Sequence, residues 1–87
     1  MQYVYMLYWH DEYGPKDLVA TLDRSKLPAM LDEYKVEDGQ VIPPPKRDSY
    51  AKELAWALLK TDAELAAETM QLAMGWGALT LHVVPLV

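Results

Sequence analysis

The chain has 87 residues, 52% of them hydrophobic and 24% charged, and Asp plus Glu outnumber Lys plus Arg thirteen to eight for a net charge of −5. This length makes one domain, residues 1–87, with a small core; the apolar fraction excludes a disordered chain, and the absence of Cys excludes a disulfide framework or a thiolate metal site. Phosphate backbones repel a surface of this sign, so direct nucleic-acid binding is not expected, and no run is long and apolar enough to cross a bilayer.

The first predicted element is a strand over residues 2–9. Five of the nine aromatic residues (Tyr3, Tyr5, Tyr8, Trp9 and Tyr13) fall within the first thirteen positions, and none of the nine is Phe. Tyr3-Val4-Tyr5-Met6-Leu7-Tyr8-Trp9 is apolar on both faces of a strand, so one face enters the core and the other is buried too or awaits a partner. Val4 and Met6 carry no donor that needs satisfying in a dry core, whereas tyrosine hydroxyls and the indole N–H do. The expectation is that Val4, Met6 and part of Tyr8 point inward. Tyr3, Tyr5, Leu7 and Trp9 then line an open face beside Thr21, Thr80 and His82. The converse assignment, with this set in the core and its polar atoms at the rim, is the alternative.

His10 to Lys16 forms a turn punctuated by Gly14-Pro15, and residues 17–22 read as a second strand, which makes an antiparallel hairpin. Leu27, Met30, Leu31 and Tyr34 share one helical face. Ser25 or Asp23 caps that helix, Pro28 sits in its first turn, and Gly39 suits its end. Val41 to Pro45 is expected to be extended, because three consecutive prolines favour polyproline II. From Asp48 to Met74 the composition is helical, with Tyr50, Leu54, Ala57 and Leu58 on one face and Trp56 expected in the core. Thr61-Asp62-Ala63-Glu64 matches a capping box, so a new helix is predicted at Asp62; a single unbroken helix over 48–75 is the rival. Gly75-Trp76-Gly77 ends this region. Residues 78–84 then alternate as a strand, with Leu79, Leu81 and Val83 on the face towards Leu27, Leu31, Leu54, Leu58 and Leu65. The fold class is therefore α+β: a small antiparallel sheet (N-terminal hairpin plus C-terminal strand) with two or three helices on one face, in the order β-β-α-α-α-β.

The inventory of reactive side chains is thin. Ser25 and Ser49 look like residues near helix starts, and nothing resembles a nucleophile elbow. His10-Asp11-Glu12, joined by His82 if the first and last predicted strands pair, is the strongest metal candidate, but neighbours on a strand point to opposite faces. The four glycines match no phosphate-binding loop, and Pro43-Pro44-Pro45-Lys46-Arg47 lacks the spacing of a proline-rich ligand. No catalytic residue, metal ligand or cofactor is expected.

Contact residues are easier to name. Tyr3, Tyr5, Trp9 and Tyr13 are candidates because Tyr and Trp are enriched at interface centres. Trp76, between two glycines, either plugs the open end of the core or projects into a partner. Glu33, Glu37 and Asp38, with Asp32, place negative charge near a helix C-terminus, where it is locally unfavourable and fits a basic partner. In size, acidity and poverty of catalytic groups, the chain is similar to small accessory proteins of phages and other mobile elements, including anti-CRISPR-like inhibitors of host defence, and to small acidic immunity and antitoxin proteins. That likeness implies a cytoplasmic, non-enzymatic protein that binds a protein partner, as inhibitor or adaptor, without carrying over any residue. A subunit of an obligate homo-oligomer is the alternative, and a small metal-dependent enzyme a weaker one.

Overall fold

The computed structural model describes residues 2–11, 14–36, 40–41, 44–73 and 78–86. Strand β1 (Gln2–Asp11) turns into β2 (Gly14–Thr21), a 3-10 turn (Arg24–Lys26) leads into helix α1 (Leu27–Glu33), and a small ladder follows from β3 (Lys35–Val36) and β4 (Gln40–Val41). Helices α2 (Pro44–Ala57) and α3 (Asp62–Ala67) come next, then β5 (Met70–Ala73) and β6 (Ala78–Leu86). The main sheet is antiparallel in the order β2-β1-β6-β5. This is the α+β fold expected, with three helices between the hairpin and the last strand.

Register decides which side chains meet the helices. Tyr5 lies opposite Val83, Leu7 opposite Leu81 and Trp9 opposite Leu79. Residues directly opposite share a face, so the odd-numbered residues of both strands point the same way. Tyr5, Leu7, Leu79, Leu81 and Val83 are all buried against Leu27, Leu31, Tyr34, Leu54, Ala57 and Leu65. Tyr3, Trp9 and Leu58 pack against the same cluster. The assignment of Val4, Met6 and Tyr8 to the core is therefore corrected: they point away from the helices, and Thr21, opposite Tyr5, goes with the covered face. The expectation rested on the cost of burying a tyrosine hydroxyl. The Asp62 carboxylate, near the Tyr5 hydroxyl, offsets part of that cost.

Asp62 belongs to a knot centred on Arg24. The guanidinium donates to Asp62 Oδ1 at 2.8 Å, to the Lys60 carbonyl at 2.6 Å and to the Leu58 carbonyl. Carbonyls at the end of a helix have no partner within it, so Arg24 supplies what the α2 terminus lacks. Leu59 N–H bonds to the Trp56 carbonyl and Lys60 N–H to the Ala57 carbonyl, tightening the last turn before the chain breaks away. The predicted capping box then restarts the helix: Thr61 Oγ1 accepts from Glu64 N–H at 3.2 Å, and Glu64 Oε1 accepts from Thr61 N–H at 3.1 Å. Two helices, not one, span this region.

One open local expectation is settled and three are revised. Asp23, not Ser25, caps the turn into α1, accepting from the Ser25 N–H at 3.0 Å and the Ser25 hydroxyl at 2.7 Å. Pro44 and Pro45 form the first turn of α2 rather than a polyproline segment; there their missing N–H groups would have had no acceptor anyway. Residues 70–73, read as helix, form β5 and place Leu72 in the core. α1 ends at Glu33, well before Gly39, which lies outside the described residues.

Candidate functional site

With the helices on one side, the other side of the sheet is not covered by any described helix. Its surface comes from the outward residues of β1 and β6, chiefly Val4, Met6 and Tyr8 beside His82, Val84 and Leu86. Met6 stands opposite His82, and the Tyr8 and His82 rings meet edge to face with centroids 6.3 Å apart. On β2 a bulge between the Leu7 and Trp9 pairs is absorbed at Asp17, whose φ of 55° lies in the left-handed region. Beyond it Leu18, 55% exposed, and Ala20 extend the same face. Thr80, between Tyr8 and Gln71 on the neighbouring strands, is 3% exposed. Apart from Asp17 at the bulge, none of these residues is Asp, Glu, Lys or Arg.

A second exposed apolar group lies at the end of α2. Trp56 is 69% exposed and Leu59 79% exposed. Trp56 was expected in the core; it is two residues from Leu54, roughly 200° around the helix, and so on the opposite side from the buried face. Leu22, 63% exposed, precedes Arg24 by two residues, and the Arg24 side chain ends on the Leu58 and Lys60 carbonyls. Leu22 and Leu59 therefore stand at the same end of the molecule. Between α1 and α2 runs a shallow apolar groove of about 280 Å³, with Leu31 and Leu54 in its floor and Pro28, Ala51 and Ala55 along its walls.

Of the contact residues proposed from sequence, Tyr3, Tyr5, Trp9 and Glu33 lie among the described residues. Tyr5 is in the core, and Tyr3 and Trp9 pack against it, so the three are not an open contact face. Glu33 is exposed at the last residue of α1. Tyr13, Glu37, Asp38 and Trp76 lie outside the described residues. His10 and His82 share the open face, but His10 pairs with Ala78 and His82 with Met6, so four residues, or about 13 Å of strand, separate them. Among the described residues no group of three metal-ligating side chains converges.

The upward titration shifts belong to tyrosines of the core. Burial pushes the Tyr5 hydroxyl up to about 12, with the Asp62 hydrogen bond and charge acting in the same direction. Burial likewise pushes Tyr34 up to about 12, helped by the charge of Asp17; the Trp9 backbone pulls the other way but makes no hydrogen bond of ordinary geometry with this hydroxyl. Burial also raises Tyr50. The protonated forms are thus favoured by folding. Their contribution is complete below the ordinary value of 10 and is lost as pH rises from 10 towards 12. Tyr34→Phe removes a hydroxyl that has no partner. At pH 7 it should leave stability unchanged or raise it by up to about 1 kcal/mol, whereas Tyr5→Phe removes a hydroxyl that lies near the Asp62 carboxylate and should cost about 1 kcal/mol. Combining the two should flatten the fall in melting temperature between pH 10 and 12; an unaltered alkaline slope would show that other groups govern it.

Set against known protein families, characterised proteins and solved structures, the chain matches none. No helix among the described residues is long and apolar enough to cross a membrane.

Proposed function

We propose that this chain is a non-enzymatic protein-binding protein, an inhibitor or adaptor that acts by occluding a partner's surface. The observation that carries this reading is Trp56. An indole costs more to leave in water than almost any other side chain, and α2 has a buried face that it does not join. Truncation of such a residue at the centre of an interface typically removes about 2 kcal/mol or more of binding energy. Leu59 and Leu22 supply apolar contact at the same end of the domain. The net charge of −5 favours a partner with a basic surface, because complementary charge speeds encounter and excludes acidic competitors. A phage or mobile-element accessory protein working in the cytoplasm fits this small, acidic, aromatic-bearing design.

The test is affinity capture from a lysate of the source organism with the wild type and Trp56→Ala side by side. We expect a protein retained by the wild type to be lost at least about 30-fold with Trp56→Ala, at an unchanged melting temperature. Equal recovery by both proteins, or a variant that melts far below the wild type, would remove the reading.

A further inference from the structure

We propose that the open face of the sheet is a self-association surface, on which a second copy of this chain stacks face to face about a two-fold axis. This surface is separate from the Trp56 end of α2, so the inference does not depend on the binding partner proposed above.

The first argument is charge. The outward residues of the two central strands, with Leu18 and Ala20 beside them, include no Asp, Glu, Lys or Arg, in a chain of which 24% is charged. A two-fold contact sets each residue near its own symmetry mate or that of a neighbour, so any formal charge there would meet its like. A face intended for a basic partner would carry carboxylates. This one is apolar at Val4, Met6, Val84 and Leu86, its polar residues (Gln2, Tyr8, His10, Thr80 and His82) carry no carboxylate or ammonium, and Tyr8 and His82 already engage each other. The described carboxylates thus lie off the contact, where solvent and salt screen them.

The second argument is geometry. Edge-to-edge pairing is blocked on both sides of the sheet. β2 carries Pro15, which cannot donate to a ladder, and the bulge at Asp17; β5 has only four residues and a register shift of its own. The faces remain. Four strands about 4.8 Å apart and roughly eight residues long present about 500 Å² per copy, or about 1,000 Å² in the pair, at the lower limit of a specific interface. Stacking would leave helices outermost on both sides and bury the sheets back to back, as in a sandwich.

Sedimentation equilibrium from about 10 µM to about 1 mM, a range suited to an interface of this size, tests the assignment. The wild type is expected to approach twice the 9.9 kDa chain mass. That mass should be nearly independent of salt. Met6→Lys with Val84→Lys should return it to 9.9 kDa. Because Met6 and Val84 are half-buried, Leu18→Lys with Leu86→Lys, at more exposed positions, provides a second pair that the fold tolerates. Their dissociation constant should rise at least about 30-fold, while Trp56→Ala leaves the mass unchanged. A wild type that stays at 9.9 kDa up to about 1 mM, or a dimer insensitive to folded variants of both lysine pairs, would overturn the proposal. So would a dimer lost on Trp56→Ala alone.

Discussion

Leu7→Ala is expected to lower stability by about 3 kcal/mol, and Met6→Ala by about 1 kcal/mol or less. Leu7 is fully buried at the centre of the sheet, with Val19 opposite on β2 and Leu81 opposite on β6. Two flanking ladders hold its backbone, so the space left by the isobutyl group cannot close by collapse, and cavity cost adds to the lost transfer energy. For a domain of this size the fall in melting temperature should be about 12–20 °C. Met6, one residue away, faces the uncovered side and is half-buried. The comparison is therefore a direct test of register, since a slip of one residue exchanges the two faces. If Met6→Ala proved the more damaging, the Tyr5, Leu7 and Trp9 set would be the open face after all.

Arg24→Ala should cost about 2–3 kcal/mol, more than an ion pair of this exposure can explain. The pair with Asp62 is about one-third exposed and screened accordingly. The larger loss is that of the acceptors. The Leu58 and Lys60 carbonyls at the end of α2 lose their donor, and Asp62, near the Tyr5 hydroxyl, loses its counter-charge. One planar group reaches three acceptors on two sides of a chain break. A lysine ammonium carries the same charge without that fork. Arg24→Lys is accordingly expected to recover less than half of the loss in urea denaturation. Full recovery would show that charge alone matters at this position.

Much of this architecture could be read from local chemistry. Thr61 and Glu64 mark the start of α3 because a capping box is a contact between near neighbours. The Leu27, Leu31 and Tyr34 stripe and the alternation of Leu79, Leu81 and Val83 identify core faces for the same reason. The pairing of β1 with β6 joins residues at opposite ends of the chain and is invisible to any local pattern. Without it, the polar atoms of Tyr5 and Trp9 argued for the wrong face; Asp62, near the Tyr5 hydroxyl, is equally remote in sequence. Met70 to Ala73 follows a helix in composition, and only pairing with β6 makes it a strand. Trp56 is different. The helical wheel already placed it opposite Leu54, and bulk hydrophobicity was the wrong guide to its position.

The β1–β6 ladder has a consequence for how this chain acquires its structure. Gln2 pairs with Leu86 and Trp9 with Leu79, so the central strands of the sheet come from opposite ends of the described chain. During synthesis the first hairpin emerges with an apolar strand edge that must remain open until the last strand has been made. Closing a loop of about 70 residues between Trp9 and Leu79 comes before the reward of the contacts it allows, which slows folding relative to a helical bundle of the same length. In that interval the Tyr3–Trp9 stretch is a template for incorrect strand addition. Loss of the final strand would do more than shorten the sheet: β1 would lose its long-range partner, and β5 would lose the strand on which it pairs.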